Sequence, residues 1–128
     1  LKVLNEYECS QLSDLLTAEL FDTGEEVMRQ GEIGDAVYFL YEGECKAFID
    51  GDQGEFEVRH YVYPGEYFGE SAIINDMRRR ATVRATGNGC VVLKLLREDI
   101  DMSIGSIQER MTVMSARKYP SYQAFTPR

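Results

Sequence analysis

Between residues 25 and 95 the chain is cut into short runs rich in Val, Ile, Tyr and Phe by Gly31, Gly34, Gly43, Gly51, Gly54, Gly65 and Gly69. Glycine at this density works against a helix, at about 1 kcal/mol per interior residue relative to alanine. It suits strands that reverse at turns. The runs predict strands at 37–41, 45–49, 55–62, 82–85 and 90–95. Short strands at this spacing lead to an antiparallel sheet closed or sandwiched on itself, a jelly roll or barrel. One stretch departs from the rhythm. Ser71-Ala72-Ile73-Ile74 has little turn chemistry, so a short helix is expected at 70–76.

Helical spacing appears at both ends of the chain. Leu12, Leu15, Leu16 and Leu20 recur with the period of an amphipathic helix, with Asn5 and Glu8 a capping pair a little upstream. Ile100, Ile104, Ile107, Met111 and Met114 form one stripe, with a break at Gly105, and Pro120 ends the helical pattern before an aromatic tail. The expected fold is α+β but mainly β, one domain over residues 1–128. An N-terminal helical segment (1–22) precedes a jelly-roll-type antiparallel β-barrel (23–96), and C-terminal helices and the tail occupy 97–128.

A formal charge of −8 argues against a nucleic-acid or anionic-membrane partner, both of which favour basic surfaces. No apolar run approaches the ~18 residues of a membrane span. The chain opens at Leu1 with no signal-peptide pattern and is expected to be a piece of a longer protein. Cys9, Cys45 and Cys90, odd in number and far apart, fit reduced thiols of a cytoplasmic protein. His60 alternates with Phe56, Val58 and Val62 and reads as a strand residue; one histidine is too few for a cupin-type metal site. Asp50-Gly51-Asp52-Gln53-Gly54 begins like a calcium loop, but Tyr61 stands at the twelfth position, where a glutamate is needed, so it reads as a hairpin tip. With no metal set and no nucleophile–base pair, a non-catalytic role is expected.

The chemistry is concentrated in "YFGESAIINDMRRRATV", residues 67–83. Gly69 lets a backbone N–H come close to a ligand. A helix starting near Glu70 would offer unpaired N–H groups to an anion. Arg79 or a neighbour supplies the countercharge in a geometry matched to phosphate oxygens. Glu70, repelled by a phosphate, must face another part of the ligand, and carboxylates accept well from hydroxyls. One phosphate and one hydroxyl a few ångströms apart describe a sugar phosphate or a nucleotide. A solvated arginine loop is the competing reading. A third is the R-R-x-T pattern of Arg79-Arg80-Ala81-Thr82, which makes Thr82 a kinase target, although Thr82 also opens a strand pattern.

These residues resemble the phosphate-binding cassette of cyclic nucleotide-binding domains. Phe68-Gly69-Glu70-Ser71-Ala72 followed by Arg78-Arg79-Arg80-Ala81-Thr82-Val83 matches that pattern without a gap between Glu70 and Arg79. "RQGEIGDAVYFLYEGE", residues 29–44, resembles the family's first strand-turn-strand pair. The aromatic tail is most similar to that of the second such domain in regulatory subunits of cAMP-dependent protein kinase. The resemblance implies a non-catalytic sensor of cAMP, with cGMP less favoured and no cofactor, acting on a kinase catalytic subunit. Glu70 would accept the ribose 2′-hydroxyl with the Gly69 backbone close by, and Ser71 would be a further ligand-binding residue. Arg79 would bind the exocyclic phosphate oxygens, with backbone N–H groups of Arg80 and Ala81, and Asp35 would orient Arg79. Tyr119, or else Tyr122, would cap the base.

Two positions depart from the family. Its proline before the key arginine is Arg78 here, and the small residue after it, a threonine where cGMP is preferred, is Arg80. Arg80 could point to solvent, add a phosphate contact or reshape base selectivity. The alternatives are therefore another purine nucleotide or nucleoside as ligand, or none, with the fold serving as a protein-interaction module.

Overall fold

The computed structural model describes residues 13–103, and most of them belong to one antiparallel sheet. The strands are β1 (Thr17–Phe21), β2 (Glu26–Met28), β3 (Ala36–Gly51), β4 (Gly54–Tyr61), β5 (Tyr67–Phe68) and β6 (Thr82–Leu96). Two helices accompany them, α1 (Glu70–Ile74) and α2 (Arg97–Ser103). The pairing runs β1-β6-β3-β4, with β2 also on β6 and β5 also on β3. The mainly β, antiparallel expectation holds. Its barrel is open, since the hydrogen-bonded path ends at β1 and β4.

The predicted strands at 37–41 and 45–49 are one continuous β3, and those at 82–85 and 90–95 one continuous β6. Gly43, read as a turn, instead bends β3 without ending it. Its φ is +81°, and a Cβ there would run into the Gly89 carbonyl of β6. The register slips between Leu40 and Glu42 and again between Gly43 and Glu44. These irregularities exchange the faces of the strand. Ala36, Tyr38 and Leu40 face the main core before the bend, and Cys45 and Ala47 face it afterwards.

The segment Ala36-Val37-Tyr38-Phe39-Leu40 is buried on both faces, as a central strand covered on two sides must be. Its even residues join Tyr61, Phe68, Val83, Ala85 and Val92 in the main core. Val37 and Phe39 pack instead with Ile73 of α1, Leu95 and Ile100 of α2, and Leu15 and Leu16 border that cluster. A short helix at 70–76 was expected, and α1 fills most of that span.

The leucine period misled at Leu20. That residue lies in β1 opposite Val91, 78% exposed, so the helical segment expected over 1–22 does not extend through 17–21. Among the described leucines Leu15 and Leu16 are packed and Leu20 is not, so helical spacing does not exclude a short edge strand here. His60 is a β4 residue opposite Lys46, as expected, and its Nε2 lies 3.1 Å from Glu44 Oε1. Cys45 and Cys90 are free thiols in the main core. Their mutual hydrogen bond, together with burial, pushes Cys45 up; the same bond draws Cys90 down. Asn5, Glu8, Cys9, Leu12, Ile104, Gly105, Ile107, Met111, Met114, Tyr119, Pro120 and Tyr122 lie outside the described residues.

Candidate functional site: a cavity walled by Arg79 and Glu70

The site begins with a backbone constraint. Gly69 sits between β5 and α1 at φ 87° and ψ −4°, a left-handed conformation that side chains resist. A Cβ there would lie 2.6 Å from Arg79 Nη1. Glycine therefore does two things: it turns the chain into α1 and leaves room for the guanidinium. Gly34 has a similar packing role, because a Cβ there would collide with the Ala72 methyl of α1.

Arg79 occupies the space thus left. Its side chain is 3% exposed, yet it is held on several sides. Nη1 donates to the Gly69 carbonyl and Nη2 to the Ala36 carbonyl, both at 2.7 Å. The guanidinium lies 5.7 Å from the Tyr38 ring centre, and Asp35 approaches Nη2 at 3.8 Å. Burial pulls the Arg79 pKa down, while the fields of Tyr38, Asp35, Glu32 and Glu70 oppose that pull. The cation is thus fixed in place before any ligand arrives, chiefly by two backbone carbonyls. Asp35 is 72% exposed at a distance beyond hydrogen bonding, so its part in the hold is the lesser one.

Glu70, the first residue of α1, is completely buried. It borders a cavity of about 560 Å³ together with Gly69, Ser71, Arg79, Arg80 and Ala81. The sequence had singled out all six, and the fold brings them to one cavity. The β3–β4 hairpin also lines it, with Ala47, Ile49, Phe56, Val58 and Tyr61 and with the charged Glu57 and Arg59. Motif spacing gave no signal for these hairpin residues, nor for Ala36 and Tyr38, because their places depend on sheet register. A second hollow of about 500 Å³ lies on the Asp35, Tyr38, Arg78 and Lys94 side, and Arg79 and Met28 border both.

A cavity lined by a fixed guanidinium, a buried carboxylate and several apolar side chains suits a ligand with an anionic end and a flat apolar end. Thr82, the candidate phosphorylation site, is buried, and its hydroxyl accepts a hydrogen bond from the Gln30 N–H at 3.0 Å. A kinase would have to open β6 to reach it.

Comparison with known proteins agrees with this architecture. The family model for the cyclic nucleotide-binding domain matches residues 18–104. The chain belongs to that family. Its curated relatives include regulatory subunits of cAMP-dependent protein kinase: it is 40% identical over 96 residues to the type II regulatory subunit of Drosophila melanogaster, covering 75% of this chain and 25% of that protein. It spans about a quarter of the length of the curated relatives it matches. Among solved structures it is similar to the regulatory domain of Toxoplasma gondii PKA crystallised with cAMP. The TM-score is 0.82 at 34% identity, over 91% of this chain and 44% of that one. It is also similar to the regulatory subunit of a cAMP-independent protein kinase A from Trypanosoma cruzi bound to guanosine. There the TM-score is 0.80 at 30% identity, over 94% of this chain and 42% of that one.

Proposed function

We propose that the chain is the ligand-sensing module of a protein kinase regulatory subunit, that it binds cAMP in preference to cGMP, and that it has no catalytic activity of its own. One observation carries the reading: Arg79 is already locked against Gly69 and Ala36 at the wall of a cavity that Glu70 also borders. In that cavity Arg79 holds the exocyclic oxygens of the cyclic phosphate, assisted by Ser71 and the N–H groups of Arg80 and Ala81. Glu70 accepts the ribose 2′-hydroxyl beside the Gly69 backbone, Asp35 helps to orient Arg79, and Tyr119 or Tyr122 caps the base.

Occupancy passes outward through α1 and α2. Ile73 of α1 packs in one cluster with Ile100 of α2, and Arg97, the first residue of α2, donates to the Asp76 carboxylate at 2.8 Å, just past α1. The Arg97 N–H also donates to the Asp35 carbonyl at 2.8 Å. The start of the C-terminal helical region is thus tied to the chain on both sides of the site. A ligand that draws α1 inward favours one arrangement of those helices, and a kinase catalytic subunit favours the other.

A second reading has its own support. Arg78 and Arg80 replace the family's usual residues, and the similar T. cruzi protein was solved with guanosine. Under that reading the ligand is a purine nucleoside. Calorimetric titration of the chain with cAMP, cGMP and guanosine, repeated on Arg79→Ala, separates the two. Tight cAMP binding that collapses in the variant is expected. Absence of heat with either cyclic nucleotide, in folded and ligand-free protein, would sink the sensor reading, and guanosine binding alone would install the second.

A further inference from the structure

We propose that Arg84 is a positioning residue for the cavity: it bridges Glu55 of β4 and Glu26 of β2, and so holds the edge hairpin where its side chains line the ligand. The inference rests on the reading of the cavity as a nucleotide site. It adds a residue that acts on the ligand through other side chains, since Arg84 itself does not line the cavity.

Strand β4 ends the hydrogen-bonded path and pairs with β3 alone among the described strands. It nevertheless supplies Phe56 and Val58 to the cavity, and Phe56 is 53% exposed. Phe48 of β3 pairs with Thr82, the first residue of β6. Past that point the hairpin continues as two strands only, and there Ile49 is paired with Phe56 and Asp50 with Glu55. Two of the lining residues, Ile49 and Phe56, thus sit on an overhang. A two-stranded ribbon twists more than a wide sheet and is marginally stable by itself, so something must fix it. On the β3 side, the Asp50 N–H donates to Gln30 Oε1 at 2.7 Å. Arg84 holds the β4 side.

It does so across an intervening strand. From β6 its guanidinium lies 5.0 Å from the centre of the Phe48 ring of β3 and meets Glu55 of β4. Nη1 donates to Glu55 Oε1 and Nη2 to Glu55 Oε2, both at 2.7 Å. Its Nε lies 3.6 Å from Glu26 Oε2, and Arg29 Nε donates to Glu26 Oε1 at 2.8 Å. Arg29, Glu26, Arg84 and Glu55 form a chain of alternating charge that joins β2, β6 and β4. Isolated surface pairs contribute little, but bidentate geometry and membership of a network are the conditions under which they do contribute. The Arg84 hydrogen bonds hold the Glu55 carboxyl below its ordinary value. Successive residues of a strand take opposite faces, and the neighbours of this clamp are lining residues: Val83 precedes Arg84, and Phe56 follows Glu55. Without the clamp the overhang must be ordered when the ligand binds, and that ordering costs affinity.

The test is calorimetric titration of the full chain with cAMP at low and high salt, repeated on Arg84→Met, Arg84→Lys, Glu55→Gln and the Arg84→Met/Glu55→Gln double variant. Methionine keeps most of the packing over Phe48 while removing the charge, and a melting curve on each variant monitors folding. Hydrogen exchange of the unliganded proteins reads the β4 amides. Arg84→Met and Glu55→Gln are each expected to weaken cAMP about three- to tenfold and to speed exchange in β4. The double variant should lose little more than Arg84→Met, because both changes remove one contact. Arg84→Lys recovers part of the affinity, and added salt narrows the gap between Arg84→Met and the unaltered chain. Losses that add in the double variant, or β4 amides that exchange at the unaltered rate, would overturn the clamp. Exchange accelerated across the whole sheet, with affinity falling in step with melting temperature, would make Arg84 a stability residue and overturn it too. Tight cAMP binding that is indifferent to Arg84 removes this proposal alone. An unaltered chain that binds no cyclic nucleotide removes the sensor reading together with it.

Discussion

Gly69→Ala adds one methyl at a position where φ is +87° and the nearest atom is Arg79 Nη1, at 2.6 Å. The variant must move either the turn into α1 or the guanidinium. A loss in cAMP affinity of about tenfold or more is expected, because misplacing a pre-positioned group removes the benefit of its fixed geometry. Asp35→Asn tests the opposite end of the same arrangement. Its carboxylate is exposed and 3.8 Å away, and exposed ion pairs contribute about 0–1 kcal/mol, so less than a fivefold change is expected. Titration of both variants checks the contrast, and an Asp35→Asn loss as large as that of Gly69→Ala would return the main orienting role to Asp35. The sequence made Glu70 and Arg79 legible because their spacing is local to one segment. It pointed to Asp35 and not to Ala36, since charge is visible in a sequence and a backbone carbonyl is not. Tyr119 and Tyr122 belong to residues outside those described.

At the scale of elements, α1 is the joint between cavity and helices. Glu70 borders the cavity, while Ile73, three residues on and 2% exposed, packs with Val37, Phe39, Leu95 and Ile100. Ile73→Ala is expected to lower the unfolding free energy by about 2–5 kcal/mol, the range for truncating a buried aliphatic residue. Urea denaturation measures it, and a cost below 1 kcal/mol would mean that α1 is loosely seated. Strand positions on this sheet were broadly legible from the alternation of residues, but their lengths were not. Glycine in β3 looks like punctuation until β6 is placed beside it, when Gly43 becomes the one residue type that fits against Gly89. Strands β2 and β5 are three and two residues long, too short for any period to register.

For the whole molecule, burial leaves a signature in alkaline stability. Tyr67 packs against the Phe39 ring at 6.2 Å, and burial, reinforced by the charge of Glu70, pushes its hydroxyl up to about 12. The folded state holds this proton more tightly than the unfolded one, whose ordinary value is 10. The contribution is complete below pH 10 and is lost as pH rises from 10 to about 12. Melting temperatures across that window should fall less steeply for Tyr67→Phe than for the unaltered chain, and identical slopes would remove Tyr67 from the account. The long pairing of β3 with β6 has a further consequence, one of timing. Every cavity residue from Gly69 to Ala81 lies in the chain between these two strands, so the site is a product of closing the sheet. During synthesis, at about 5–20 residues per second, the 30 residues between Gly51 and Thr82 take on the order of 2–6 s to appear. Through that interval Ala36-Val37-Tyr38-Phe39-Leu40, buried on both faces once folded, has only the two residues of β5 to pair with, at Tyr38 and Phe39. A newborn chain thus cannot respond to its ligand until the ribosome has moved past Leu96, and until then its most adhesive segment must be kept from its neighbours.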